Sequence, residues 1–235
     1  MTDKAAPIVT HIGLGDCIVQ TGLAVSLLSR YDRIAFPCYE PYYASVSSFF
    51  VNVPRISIYT LPHRPGWDWG SPPDRIWDEE MERNGLDTNN QIRLGNYSGR
   101  GTGWDFTQSF YEHANVPYSD RWDKCPIGEA VKCSWNGDAS TYEAFAHDDP
   151  DRGYRISRLD GGVVLWAHKS FIEESILSYA HAIETVGEIH VIDSAFFWLV
   201  NALEPKGKLY LHCYARWPRS PQFRYQSRQE WQYLF

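Results

Sequence analysis

The stretch Ile8-Val9-Thr10-His11-Ile12-Gly13-Leu14-Gly15-Asp16 decides the fold. Its first half is short and β-branched, and it stops at glycine, as a buried strand does. Directly after it Val19, Leu23 and Leu27, flanked by Ala24 and Leu28, recur at three- and four-residue spacing and make one apolar helical face. A strand over 7–12 that passes at once into a helix is the start of a β-α-β unit. The pattern repeats: Arg33-Ile34-Ala35-Phe36-Pro37 reads as a second strand, the segment after Pro41 as a second helix, and Arg55-Ile56-Ser57-Ile58-Tyr59 as a third strand. Such alternation predicts a parallel sheet covered by helices.

Beyond Leu61 the periodicity weakens, punctuated by Pro62, Pro65, Pro72, Pro73 and a glycine-rich run over 95–103, although 74–84 and 105–114 keep helical patterns. Residues 118–140 have little periodicity and read as a connection between lobes, with a short hairpin in it. Alternation then resumes: strands over 143–147 and 162–166, a helix over 170–186, a strand over 188–192, a helix over 194–203 and a strand over 208–212. The helix near 195–200 is apolar on almost every side and should be deeply buried. Residues 221–233 read as a terminal helix crossing back over the first lobe. The expected organisation is an N-terminal lobe over 1–117, the connection over 118–140, a second lobe over 141–220 and the terminal helix over 221–235.

Bulk properties narrow the function. A chain of 235 residues with 43% hydrophobic and 22% charged residues has the composition of an ordinary soluble globular protein. Its ten Trp and fifteen Tyr fit an aromatic core first and a surface for stacking sugars or flat ligands second. A formal net charge of −7 argues against whole-protein attraction to nucleic acid. Basic and aromatic residues interleave from Arg216 to Arg228, which reads first as an amphipathic segment packing on the body and second as a nucleic-acid surface. Cys17, Cys38, Cys125, Cys133 and Cys213 are odd in number and scattered, which suggests neither a disulfide framework nor a structural zinc. The N-terminus is polar, so no signal peptide and no membrane span are expected, and a cytoplasmic location follows by default.

Ligands of open parallel sheets collect at the carboxyl ends of strands, where helix N-termini present amides. Gly13-Leu14-Gly15-Asp16 is the first such turn; Asp16 is either a helix cap or a catalytic acid-base group, and no third glycine completes a dinucleotide fingerprint. Ile192-Asp193-Ser194-Ala195 is the second, and its amides could hold a diphosphate. His212-Cys213-Tyr214-Ala215-Arg216 is the third, where Arg216 is either a plain surface arginine or a bidentate phosphate ligand. A fourth, His147-Asp148-Asp149-Pro150-Asp151-Arg152, could cap a turn, bind ribose or base groups, or hold a metal; two adjacent acids beside an arginine are a poor cation site.

Taken in order, these turns resemble the GT-B glycosyltransferases of the ADP-heptose type. His11-Ile12-Gly13-Leu14-Gly15-Asp16 looks like that family's Gly-Asp first turn, and Ile192-Asp193-Ser194-Ala195 like its Asp-Thr/Ser-Gly turn. The resemblance implies two Rossmann-like α/β lobes with parallel sheets and a cleft between them. It implies Asp16 as general base with His11, Gly13 and Gly15 on the acceptor side, and Asp193, Ser194 and Ala195 at the donor diphosphate. His212, Tyr214, Arg216, His147, Asp148 and Arg152 become donor contacts by position. The implied reaction is inverting transfer from a nucleotide-diphosphate sugar to an acceptor hydroxyl, on a glycan or a modified DNA base, without a metal or a resident cofactor. Nucleic acid enters only as a substrate. Ala195 in place of glycine, Phe197-Trp198 in place of a histidine-containing helix start, and the short chain depart from the family pattern. Three alternatives remain open: a metal-dependent transferase using Asp148 and Asp149, a methyltransferase with Glu40 as a weak ribose ligand, and a non-catalytic nucleotide- or glycan-binding module.

Overall fold

The computed structural model describes residues 5–63, 72–94, 106–132, 141–157, 159, 162–167, 174–216 and 225–235. They divide into two compact units, Met1–Ala130 and Val131–Phe235. Among the described residues no helix is long and apolar enough to cross a membrane.

Unit 1 opens with β1 (Ala6–Val9), fully buried, followed by α1 (Leu14–Val19) and α2 (Thr21–Leu27). The two helices meet at Gln20, whose backbone stays helical, so the expected single amphipathic helix is present with a joint in it. β1 ends at Val9, three residues earlier than the expected strand over 7–12, which moves Thr10, His11 and Ile12 out of the strand and into the turn. Next come β2 (Ile34–Tyr39), α3 (Tyr43–Phe49), β3 (Ile56–Leu61), α4 (Asp74–Arg83), the two-residue β4 (Ile92–Arg93), α5 (Thr107–Ala114), α6 (Asp120–Asp123) and α7 (Ile127–Val131). The sheet runs β3-β2-β1-β4, all parallel. The chain therefore moves outward through β2 and β3, then returns to the other flank of β1. That reversal makes the carboxyl end of β1 the switch point of the sheet, where such folds place ligands.

The segment over 118–140, expected to connect two lobes, carries α6 and α7 and spans the division between the units at Ala130 and Val131; its residues 133–140, and with them any hairpin there, lie outside the described residues. α6 is held to α2 by close approach. A Cβ on Gly22 would stand 2.1 Å from the Asp120 carbonyl oxygen. The buried Asp120 carboxylate accepts from Ser26 Oγ at 2.7 Å and pairs with Lys124 at 2.8 Å. Little periodicity is visible over these residues because short helices need few apolar positions.

Unit 2 contains β5 (Ala144–His147), β6 (Val164–Ala167), α8 (Ala180–Thr185), β7 (Glu188–Val191), α9 (Ala195–Leu203), β8 (Lys208–His212), α10 (Cys213–Arg216) and β9 (Trp231–Leu234). Its sheet order is β6-β5-β7-β8-β9, parallel throughout. Here the switch lies between β5 and β7. The helix expected over 170–186 is shorter: a 3-10 turn over Ile176–Tyr179 precedes α8, Ser175 caps that turn through the Leu177 amide, and 170–173 lie outside the described residues. The terminal helix expected over 221–235 is absent from its described part, because Trp231–Leu234 forms the edge strand β9 beside β8. The segment thus completes the second sheet rather than crossing to the first lobe. Packing overrides the local pattern: Trp231 and Tyr225 close over Phe197 at ring distances of 4.7 and 4.9 Å.

α9 is as buried as its sequence implies, with Phe196, Phe197, Trp198, Leu199 and Val200 all in the core. Phe145 of β5 and Tyr179 meet Phe196, each at 5.4 Å between rings. Burying each such side chain is worth about 1.5–3 kcal/mol, so the large aromatic content serves the core here.

Candidate functional site

At the β1 switch point the turn residues converge. Gln20, fully buried, donates its side-chain N–H to the His11 carbonyl at 3.0 Å and ties the turn to the helix that follows. Gly13 is the helix N-cap position, with φ −58 and ψ 148, and no side chain caps the helix. Asp16 is therefore not a cap. Its Oδ2 lies 2.6 Å from His11 Nδ1, which donates to it, and the two side chains are only 19% and 13% exposed, His11 first. Gly13 is required for room rather than for an unusual backbone angle: a Cβ there would stand 2.7 Å from the same Asp16 oxygen. Burial opposes a charge on the His11 ring, but the Asp16 hydrogen bond and negative charge outweigh it, and the imidazole pKa is raised. Gly15 lies within the first turn of α1.

In unit 2 three carboxyl-terminal turns come together at the β5–β7 switch. Ser194 caps α9, its Oγ accepting from the Phe196 amide at 3.3 Å, and its carbonyl accepts from Phe197 N–H. Ser194 and Ala195 stand at the start of the helix, where backbone amides have no intrahelical acceptor. Arg216, after β8, donates from Nη1 to the Asp193 carbonyl, and its guanidinium lies 5.6 Å over the Tyr154 ring. The Asp193 carboxylate accepts from the Tyr225 hydroxyl at 2.6 Å. A fixed guanidinium at the N-terminus of a nine-residue buried helix is an arrangement suited to an anionic group.

The fourth turn frames this site from β5. His147 is buried, donates from Nδ1 to the Ala167 carbonyl at 3.1 Å and packs on Phe196 at 4.4 Å. Burial lowers its pKa to about 4, so it is neutral at ordinary pH. Asp148 accepts from the Ile156 amide at 3.2 Å. Asp149, which bridges to Tyr154 through both backbone groups, pairs with Arg152. These acids thus shape the 148–156 loop. Among the described residues no three His, Cys, Asp or Glu side chains converge as a metal site would need.

His212 is buried and uses both ring nitrogens: Nε2 meets His190 Nδ1 at 3.1 Å and Nδ1 meets the Tyr214 hydroxyl at 3.0 Å. Tyr214 also accepts from the Ser157 amide at 3.1 Å and lies 2.9 Å from Ser157 Oγ. Burial, then the neighbouring His190, lower the His212 pKa to about 4. Sequence reasoning missed Tyr154, Ser157, His190 and Tyr225. For His190 a signal existed: Glu188 and His190, like Lys208, Tyr210 and His212, alternate along their strands and so share one sheet face.

No protein-family profile matches the chain. No curated protein matches it either. Solved structures do. The iron-containing heptosyltransferase TibC, in complex with ADP-D-β-D-heptose, aligns with a TM-score of 0.53 at 11% identity over 97% of this chain and 64% of its own. The E. coli heptosyltransferase WaaC with ADP-2-deoxy-2-fluoro heptose aligns at 0.51, with 9% identity over 96% and 92% of the two chains. A family 9 glycosyl transferase from Veillonella parvula aligns at 0.50, with 9% identity over 99% and 88%. The chain spans about two thirds of the length of TibC. Its α/β fold, with two parallel sheets in two units, is similar to that of these GT-B heptosyltransferases.

Proposed function

We propose that this chain is a glycosyltransferase that moves a sugar from a nucleotide-diphosphate donor to an acceptor hydroxyl. The observation that carries the reading is the Arg216 guanidinium held on the Asp193 carbonyl where α9 begins, at the switch point of the second sheet. The fold neighbours, two of them solved with ADP-sugars, support the same reading. The donor diphosphate would lie on the Ser194 and Ala195 amides and Arg216. These fixed positive groups would stabilise the charge that builds on the leaving diphosphate, without reorganisation.

In unit 1 the His11–Asp16 pair would take the proton of the acceptor hydroxyl. Its oxygen would bond to the anomeric carbon as the carbon–oxygen bond to the diphosphate breaks, and the bond pair would leave with the nucleotide. A single direct displacement inverts the anomeric centre. Asp16 is assigned as the base. A second assignment is favoured by the Nδ1 contact: Asp16 orients His11, and the ring takes the proton at Nε2, the logic by which a carboxylate holds a catalytic imidazole. Acceptor chemistry stays at the level of a hydroxyl-bearing molecule, a glycan or a modified base. The metal-dependent alternative needs Asp148 and Asp149 as ligands, and both carboxylates are already engaged within their loop.

Titrating the chain with ADP, UDP and GDP by calorimetry, followed by transfer assays from the matching sugar donors with and without chelator, tests the proposal. Binding of one nucleotide that Arg216→Ala weakens, with chelator-indifferent transfer, is expected. Binding without any turnover across donors and acceptors leaves the non-catalytic alternative in its place.

A further inference from the structure

His190 lies on the opposite face of the second sheet from the helix-packed core, with its ring stacked on Tyr210 at 4.4 Å and 4°. Its Nδ1 meets His212 Nε2, and its Nε2 is 3.6 Å from Glu188 Oε2. Beyond His212 the contacts continue through the Tyr214 hydroxyl to the exposed Ser157. Tyr214 is two residues before Arg216, and Ser157 is three residues after Tyr154, whose ring lies under the Arg216 guanidinium. One chain of contacts therefore joins a half-buried histidine inside the sheet to the edge assigned to the diphosphate.

The proton positions along it follow from donor and acceptor rules. The Ser157 amide can only donate, so the Tyr214 oxygen accepts there. The Glu188 carboxylate accepts, so it favours a proton on His190 Nε2. With that proton in place His190 Nδ1 is an acceptor. His212 must then carry its proton on Nε2, and its Nδ1 accepts the Tyr214 O–H. The Ser157 hydroxyl is left donating inward to Tyr214, with lone pairs outward.

Adding one proton to His190 reverses every link. Both its nitrogens then carry hydrogen, so His212 must accept at Nε2 and move its own proton to Nδ1. Tyr214 accepts from His212 and turns its hydroxyl hydrogen onto Ser157 Oγ. The Ser157 hydroxyl is thereby turned outward as a donor. One proton is gained in total and none is lost.

We propose that His190 is a positioning residue of the donor site, its proton state deciding, through His212 and Tyr214, whether Ser157 offers a hydrogen-bond donor to the bound phosphates. This rests on the donor reading of the second unit. Among the described residues, the groups facing His190 are Glu188 on its own strand, which Lys208 Nζ approaches at 3.4 Å, Tyr210 and His212 on β8, and the neutral Ala146 opposite it on β5. Beside them on β9 lie Gln232 and Leu234, also neutral. Burial lowers the His190 pKa more than Glu188 raises it, so the reversal falls on the acid side of neutrality.

The test uses the full chain and ADP as the probe. Long-range nitrogen–proton spectra of the histidine rings should place the His212 proton on Nε2 at about pH 8, and on Nδ1 at the acid pH where the same spectra show both His190 nitrogens protonated. His190→Asn puts a non-titrating acceptor near the Nδ1 position and should hold the His212 proton on Nε2 at both pH values. ADP loses charge itself as its terminal phosphate titrates near pH 6, so the informative quantity is the affinity of the unaltered chain relative to the variant at each pH. That ratio should rise by roughly threefold to tenfold on acidification, the worth of one hydrogen bond. Tyr214→Phe, which cuts the wire beyond His212, should abolish the rise while the His212 proton still changes nitrogen with the state of His190. An Nδ1 proton on His212 at pH 8, or a ratio that does not change with pH, overturns the positioning role alone. The same comparison is made with UDP or GDP where one of those binds instead, and a wire that reverses in a chain that takes none of the three overturns the donor reading and this role together.

Discussion

His11 Nδ1 lies 2.6 Å from Asp16 Oδ2 across the turn that joins β1 to α1, and Gly13 keeps the space between them open. A side chain on Gly13 would collide with the carboxylate before anything else. The pair, rather than either residue, is the unit on which acceptor activation is proposed.

Asp16→Asn should reduce transfer by about 10²–10⁴-fold, the usual worth of a positioned base, with little change in ADP affinity. His11→Gln separates the two assignments. If Asp16 takes the proton, the variant retains a substantial part of kcat; if His11 takes it, the loss matches that of Asp16→Asn. Full activity in Asp16→Asn removes the turn from the chemistry altogether.

Gly13→Ala should act on the same pair without touching either member. The new methyl forces the Asp16 carboxylate off His11, so kcat should fall by roughly tenfold or more while the thermal midpoint moves little, because displacing a side-chain tip is cheap. Wild-type kcat in this variant would show that the 2.6 Å contact does not matter for turnover.

Arg216→Lys is expected to be nearly as damaging to nucleotide affinity as Arg216→Ala. The planar guanidinium reaches the Asp193 carbonyl and the Tyr154 ring together, which a point-charge ammonium cannot do. Calorimetry with ADP should give a loss of about tenfold for each, on the order of one charge-assisted hydrogen bond. Retention of affinity by the lysine variant contradicts the geometric role.

Acid should destabilise the fold through His147 and His212. Unfolded, each takes a proton near its ordinary value of 6.5; folded, each stays neutral until about 4. The unfolded chain binds more protons between those values, so stability falls as pH drops through that window and levels off below it. Each group contributes up to roughly 3 kcal/mol of this loss. His11 acts in the opposite sense: its raised pKa adds stability that is present below its unfolded pKa of 6.5 and is lost as pH rises through the folded value. Urea midpoints measured from about pH 7 down to about pH 4.5 should fall overall, and a flat profile would contradict the burial of the two rings.

Gly22→Ala should destabilise by about 1–3 kcal/mol or more, since the added carbon meets the Asp120 backbone oxygen at 2.1 Å and α6 has to move. A chemical-denaturation midpoint equal to that of the unaltered chain would mean that α6 does not pack on α2 as described.

Strand and helix order in both units was legible from residue type alone, because a β-branched run ending at glycine and an apolar stripe at helical spacing report local burial directly. That is why β1, β2, β3, β5, β7 and β8 lie near where their patterns predict them. The candidate site was read as a set of turns, since strand ends in parallel sheets collect ligands, and Asp16, Asp193, Ser194 and Arg216 are proposed on that rule. What stood outside the sequence was partnership. Whether Asp16 caps a helix or holds a histidine depends on a turn that brings residues 11 and 16 within hydrogen-bond reach. The tail over 221–233 reads as helical in isolation, yet Trp231–Leu234 forms a strand on the open edge of β8, with Trp231 and Tyr225 packed on Phe197. Local pattern reports how much a residue wants to be buried; only the folded sheet decides which distant groups it is buried against, and the proposed chemistry rests on those pairs.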